Sequence, residues 1–353
     1  MKLLYAVALS LLLVPMNLGW ADSSSSNPTD AQRIQKLEEE LKDLKESLND
    51  PEGKVEATAS SVKKLSKIKP EGYLQFRYNW TEDKSDSDPD RFDLRRVRLG
   101  LKANPSSDLE AKVQADFAGG KTDLKDAWLK WSFYGSPLTG PSLTLGQQKW
   151  PFGLEVVQSS SVRETPERAL AWRTLFSGER DLGIKLSGKE GLPQTWELGV
   201  FNGTGANKSD NNNEKDFVGR LGLALSDRLD VGGSFYIGTT RTGKKETAKN
   251  RYGADLRYQL ADGLVLKGEY LTAKELGFEP WGYLAQLNMN LNAKQVLVVK
   301  FDHFDDDGLL ERGKVDTWNV GVIHHINPNL KGKLFWSREE KKDGVTLEFL
   351  TIF

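Results

Sequence analysis

From Gly72 to Phe353 the chain is a succession of short segments in which apolar and polar side chains alternate. A period of two puts successive side chains on opposite faces of an extended strand. Tyr252, Ala254, Leu256, Tyr258 and Leu260 alternate with Arg251, Gly253, Asp255, Arg257 and Gln259. Trp281, Tyr283, Ala285, Leu287, Met289 and Leu291 alternate with Gly282, Leu284, Gln286, Asn288 and Asn290. Clusters of Gly, Asn, Asp and Pro separate such runs, as turns require. The pattern predicts strands near 72–80, 92–102, 109–118, 124–133, 142–149, 181–188, 195–202 and 216–225. It continues near 229–238, 251–260, 263–273, 280–291, 294–304, 314–326, 330–337 and 344–353. That is about sixteen antiparallel strands, each close to the roughly 9–11 residues that a tilted strand needs to cross a bilayer.

The connections alternate too. Tight turns at 226–228, 261–262, 292–294 and 327–329 take every second slot, and longer polar stretches at 81–91, 150–180, 203–215, 239–250 and 305–313 take the others. Short turns on one side and long loops on the other suit a transmembrane barrel with its turns in the periplasm. A two-sheet sandwich has no reason to keep that alternation.

One face of these strands is apolar, with Trp80, Phe133, Trp196, Tyr270, Trp281, Trp318 and Trp336 near strand ends, where aromatic girdles meet the membrane interfaces. The other face carries Lys, Arg, Asp, Asn, Gln and Gly, which a dry core does not tolerate unpaired. The expectation is an all-β transmembrane barrel around an aqueous lumen, wide enough at sixteen strands for a channel. Phe353 ends a strand with Leu347, Phe349 and Thr351 on its own face. It is expected to close the barrel and to be the feature that outer-membrane insertion machinery reads. The 28% of charged residues lowers the average hydropathy without excluding a membrane barrel, since barrel strands are apolar on one side only.

The start of the chain reads differently. Lys2, the apolar run Leu3–Val14, and Gly19 and Ala21 before a cleavage point make residues 1–21 a secretory signal peptide. Residues 22–49 begin with a flexible "DSSSSNPT" and continue into a helix in which Ile34, Leu37, Leu41, Leu44 and Leu48 repeat every three or four positions. That is the seam of a short α-helical coiled coil, with Asp30 as N-cap and Pro51 and Gly53 as the stop. A lone helix of this length is marginal in water, so it implies self-association. Residues 50–70 read as a linker, and 71–353 as the barrel domain.

A net charge of −1 gives no pull towards nucleic acid, and the absence of cysteine removes disulfides and thiolate chemistry. His303, His324 and His325 are the only histidines, and the adjacent pair falls on opposite faces of one strand. No metal site, no cofactor and no catalytic residue is expected, and no nucleophile motif supports a barrel hydrolase. "DDDG" at Asp305–Gly308 lacks calcium-loop spacing and reads as a solvated loop.

Gly146–Glu155 ("GQQKWPFGLE"), Glu167–Leu170 ("ERAL") and Arg180–Gly183 ("RDLG") closely resemble the phosphate-selective porin O/P family of bacterial outer-membrane porins. Arg91–Ala103 and Leu124–Trp131 look like its second and fourth strands, and "KDFVGRL" like its eighth. The resemblance implies a homotrimeric porin in the outer membrane of a Gram-negative-type bacterium, surrounded by lipid, whose third loop folds inward and narrows the lumen. That makes Pro151, Phe152, Gly153, Glu155, Glu167 and Arg180 constriction-loop residues. It also implies small anions such as phosphate, or polyphosphate, as solutes.

By alternation, the inward bases are Arg77, Arg96, Arg98, Lys112, Lys130, Lys185, Arg220, Arg257, Lys267, Lys300, Lys331 and Lys333. The inward acids are Asp93, Asp116, Asp126, Glu197, Asp255, Glu269, Asp302 and Glu348. In the loop, Arg163, Arg168, Arg173 and Arg180 are nearly cancelled by Glu155, Glu164, Glu167 and Glu179. Arg77, Arg96, Arg98, Lys130, Lys185, Arg220 and Arg168 are taken as the ion pathway, with Lys331 expected to lie away from the loop. Rings of Arg and Lys select anions, unless the bases pair with acids on neighbouring strands. Two alternatives stay open: a general porin without anion selectivity, and a barrel whose periplasmic coiled coil tethers the outer membrane to peptidoglycan or another periplasmic partner.

Removing residues 22–70 is expected to leave a barrel that inserts but to lower the stability of the trimer. Semi-native electrophoresis in mild detergent checks this; an intact chain that runs only as a monomer counts against it.

Overall fold

The computed structural model describes residues 34–42, 67–82, 90–133, 140–188, 194–243 and 245–353. Helix α1 covers 34–42, with Ile34, Leu37 and Leu41 all exposed. The signal peptide, Leu44, Leu48 and residues 50–66 of the expected linker lie outside the described residues. Its last residues, 68–70, are not linker: they pair with Leu101–Ala103 as the start of the first strand.

Sixteen strands follow. They are β1 (Ile68–Thr81), β2 (Arg91–Ala103), β3 (Leu109–Asp116), β4 (Asp123–Ser132), β5 (Ser142–Lys149), β6 (Arg180–Gly188), β7 (Gln194–Phe201) and β8 (Asp216–Ser226). The second half is β9 (Leu229–Thr242), β10 (Lys245–Ala261), β11 (Leu264–Glu275), β12 (Trp281–Asn292), β13 (Gln295–Asp305), β14 (Lys314–Asn327), β15 (Leu330–Glu339) and β16 (Lys342–Ile352). Each pairs antiparallel with its chain neighbours, and β1 pairs with β16, so the sheet is a closed barrel. Closure follows from the medium: hydrocarbon offers no partner to an unpaired N–H or C=O, so an open edge is not tolerated there.

The seam is held at its end by Phe353. Gly72 N–H donates to Phe353 O at 2.8 Å and Phe353 N–H donates to Gly72 O at 3.0 Å. A Cβ on Gly72 would lie 2.5 Å from the Phe353 ring, so glycine leaves the room in which the aromatic sits.

Outward faces carry the exposed large apolar side chains, among them Leu99, Leu101, Val113, Leu129, Leu145 and Ile184. Phe133, Tyr270, Trp318 and Trp336 are exposed, but only Phe133 stands at a strand end; Tyr270, Trp318 and Trp336 lie within β11, β14 and β15. No helix among the described residues is long and apolar enough to cross a membrane.

The structure departs from the sequence reading at three further points. Residues 239–250 are not a loop: β9 and β10 continue to Thr242 and from Lys245, joined by a tight turn at Gly243, whose φ is 63°. A second tight turn, with Glu340 at φ 56°, joins β15 to β16 on that same side. Strands can run on past the membrane as a paired hairpin because cross-strand bonds satisfy their backbone without lipid or protein cover. Finally, the inward faces are not uniformly polar. Phe201, Val218, Tyr236, Leu271, Leu284, Phe304 and Val315 point into the barrel from β7–β14 and are buried there.

Replacing Phe353 with Asp is expected to slow insertion and lower the amount of folded barrel, because the β1–β16 seam loses its aromatic end. Quantifying heat-modifiable protein in outer-membrane fractions checks this, and unchanged levels would remove that role.

Candidate functional site

Lys149 ends β5 and Arg180 begins β6, and the chain between them folds into the barrel. It contains two short helices, α2 (Gly153–Val157) and α3 (Leu170–Leu175). Trp150 N–H donates to Glu179 O at 3.2 Å, which closes the base of the loop.

The loop is seated by a second hydrophobic core inside the barrel. Trp150, Phe152, Val156, Leu170, Trp172 and Phe176 pack against the inward apolar residues of β7–β14. Phe152 and Phe176 have ring centroids 4.5 Å apart, and Arg251 lies over the Phe176 ring at 4.5 Å. Burying an aromatic or aliphatic side chain contributes about 1.5–3 kcal/mol, which offsets part of the cost of ordering the loop. This footprint explains the apolar inward positions: they face the loop, not water.

Polar contacts orient it. Glu269 on β11 accepts from Leu154 N–H at 3.0 Å, Glu155 N–H at 2.9 Å and Trp172 Nε1 at 2.6 Å. A Cβ on Gly153 would sit 1.7 Å from Glu269 Oε1, and its φ is +55°, so only glycine lets α2 start against that carboxylate. Pro151 is buried beside it. Glu155 pairs with Lys300 on β13 at 2.9 Å and accepts from Ala169 N–H at 3.1 Å. Arg168 donates to Gln158 O at 2.7 Å, to Glu155 O and to Glu179, pinning the loop to itself. Arg180 stands at the foot of the loop as the first residue of β6 and donates to Asp126 at 2.6 Å.

On the β1–β2 wall the loop meets a dense basic cluster. Glu167 lies 2.6 Å from Arg77, 2.6 Å from Arg95, and 3.5 Å from both Arg96 and Arg163. Arg77 also bonds Glu348 at 2.5 Å, and Lys333 pairs with Glu348 at 2.8 Å. Five cations, Arg77, Arg95, Arg96, Arg163 and Lys333, therefore share two carboxylates. Arg95 is the member that strand alternation misses. The β1–β2 register shifts so that Gln75 faces Arg96 and Phe76 faces Leu94, leaving Arg95 as the extra residue of a bulge. A bulge lets consecutive side chains turn to one face, which is how Arg95 and Arg96 both reach Glu167.

The remaining sequence-selected bases are placed as follows. Arg98 donates to Asp116 at 2.8 Å. Arg220 holds Asp255 across the barrel wall, at 2.8 Å for Nη2. Lys130 and Lys185 line an opening of about 570 Å³ on the short-turn side with Lys112, Glu71, Glu110 and Glu197. There Lys185 pairs with Glu197 at 2.6 Å and Lys112 with Glu71 at 2.6 Å. Lys331 does not lie away from the loop: its Nζ donates to Ser161 O at 2.9 Å, because the loop crosses the lumen as far as β15. Many inward charges thus sit under the loop in ion pairs rather than in open water.

The scaffold now has relatives. The family model described as phosphate-selective porin O and P matches residues 71–242. Over that stretch, β1 to β9, the chain resembles this family. Its barrel is a porin barrel. An anion-selective porin from Comamonas acidovorans superimposes with a TM-score of 0.65 at 13% identity, covering 81% of this chain and 99% of that one. The outer-membrane channel DcaP of Acinetobacter baumannii gives 0.61 at 11% identity, covering 81% and 97%. A trimer form of OmpT from Vibrio cholerae gives 0.60 at 12%, covering 81% and 99%. No curated protein matches the sequence. The matched family model and the similar folds together support an outer-membrane channel.

Protonation of the loop has a worked sign. Burial alone would raise the Glu167 carboxyl, but the guanidinium groups of Arg163, Arg96, Arg77 and Arg95 hold it well below the usual range. Glu179, likewise buried, is pulled down to about 2 by Lys149, Arg168, Arg180 and Arg163. A depressed carboxylate contributes stability that is complete above its unfolded value of about 4.3 and is lost as pH falls through the folded one. The loop is therefore expected to stay seated between about pH 8 and 5, and to loosen towards about pH 2, where Glu179 also releases Lys149, Arg168 and Arg180 at its foot. Losing the Glu167 charge alone leaves the apolar core to hold it. Pepsin cleavage within 150–180 at about pH 2.5, with the barrel strands intact, checks this; a loop that stays resistant there contradicts it.

Proposed function

We propose that this outer-membrane porin is a passive diffusion channel with a preference for small anions, phosphate among them. The observation that carries it is the cluster of Arg77, Arg95, Arg96, Arg163 and Lys333 around two carboxylates, a local excess of three positive charges beside the loop. Arg95 opens that excess to water, with 41% of its side chain exposed. In a narrowed space of intermediate dielectric, a unit charge at ~4 Å is worth about 4 kcal/mol, against about 1 in bulk water. The description of the matched family and the anion-selective porin among the similar structures support the same solute class.

The trimer form of the similar Vibrio cholerae porin supports a homotrimer. The exposed seam residues of α1 support a self-association surface, and we infer that this helix lies in the periplasm. The alternative role of that segment, binding to peptidoglycan, is tested by a pull-down with residues 22–70. A general porin without selectivity is the second reading, favoured by the Lys112–Glu71 and Lys185–Glu197 pairs in the short-turn opening.

Planar-bilayer recordings in a salt gradient discriminate the two. The reversal potential is expected to favour chloride over potassium. Changing Arg95 and Arg96 together to Gln is expected to lower that permeability ratio about threefold, or ~0.7 kcal/mol. A cation-preferring wild type leaves the general porin.

A further inference from the structure

Glu167 holds the place that a mobile anion would take. Its Oε1 is 2.6 Å from Arg77 Nη1 and 2.6 Å from Arg95 Nε, and its Oε2 is 3.5 Å from Arg96 Nη2 and from Arg163 Nη2. Both carboxylate oxygens are thus engaged by guanidinium donors that come from three directions: β1, β2 and the loop itself. Those donors are held independently of Glu167. Arg77 is also bonded to Glu348 and Pro166 O, Arg96 to Gln75 Oε1 at 2.7 Å, and Arg163 to Pro166 O at 2.6 Å. Arg163 Nη1 is buried without a hydrogen-bond partner, a donor more than the present occupant uses. The cluster therefore holds at least one donor that Glu167 leaves unused.

The occupant is held differently from its site. Arg77, Arg96 and Arg163 are nearly fully buried, whereas 28% of the Glu167 side chain is exposed and Arg95 beside it is more open still. Glu167 lies between α2 and α3, outside both helices. A side chain in such a connection can leave by rotamer change while the apolar core under α2 and α3 keeps the loop seated.

We propose that Glu167 is a tethered occupant of an oxyanion site, and that a diffusing oxyanion of the phosphate type enters the arginine cluster by displacing it. This rests on the anion-channel reading above and adds its regulation. A tethered competitor reduces apparent affinity by the fraction of time the site is open. It thereby keeps a strongly basic site from trapping the ion that it attracts, since conduction requires that ions also leave. The depressed carboxyl of Glu167 is the same competition seen from the side of the proton.

Phosphate block of chloride current is the readout, in wild type, Glu167→Gln and Glu339→Gln. Glu339 is a control of equal charge change: it pairs with Arg173 and Arg312, apart from the cluster. Trypsin resistance of residues 150–180 is recorded for each variant. Glu167→Gln is expected to bind phosphate about tenfold more tightly with its loop still resistant, and Glu339→Gln to shift block by less than about twofold. Adding Arg95→Gln to Glu167→Gln is expected to reverse most of the gain. Unchanged or weaker block in Glu167→Gln overturns the proposal, as does a loop that becomes trypsin-sensitive, which makes Glu167 a structural clamp. A cation-preferring wild type in the salt gradient instead removes the anion reading itself, so the two failures are told apart.

Discussion

Hydrocarbon offers no hydrogen-bond partner, and every other feature of this barrel follows from that. Each backbone group within the membrane must bond to a neighbouring strand, so β1 has to meet β16 and the sheet has no free edge. Closure fixes an inside and an outside, and strand alternation then assigns every side chain to lipid or lumen. The polar half of each strand therefore ends up facing inward, producing a lumen crowded with Lys, Arg, Asp and Glu.

Such a lumen has to balance its charges and still leave a passage. The loop between β5 and β6 meets both demands: apolar burial is confined to the β7–β14 wall, while polar contacts hold it there through Glu269 and Lys300 and on the opposite wall as well. Towards β7–β14 it is held by apolar burial, with Trp172, Phe152 and Phe176 filling the interior. Towards β1, β2 and β15 it is held by ion pairs and by backbone carbonyls that accept from Lys331 and Lys333. Removing one partner of a buried ion pair is costly, on the order of 3–5 kcal/mol, so the loop's position is also the solution to the wall's electrostatics.

The balance is uneven around the barrel. Arg98 with Asp116, Arg220 with Asp255 and Lys185 with Glu197 are matched one to one across strands. Around Glu167 and Glu348 they are not. An unevenness placed where the loop meets the wall can act on a passing ion, because the space there is narrow and partly desolvated.

Strand number, order and face were legible in the sequence because period two is a local property: each Cβ direction follows from its neighbours along the chain. The inward positions of Arg77, Arg96, Arg98, Lys130, Lys185 and Arg220 were read that way, and the motif around Pro151, Phe152 and Gly153 marked the loop. Arg95 was not legible, since a bulge is decided by the register of two strands rather than by one strand's pattern. Nor was the apolar footprint inside the barrel, because Phe201, Tyr236, Leu271 and Phe304 come from separate strands that only closure brings together. The pairing of charges was decided by the tertiary structure alone. Arg77 and Glu167 are 90 residues apart, and Glu155 and Lys300 are 145 apart. Residue type records that a charge exists; only the fold determines which opposite charge lies within hydrogen-bond reach.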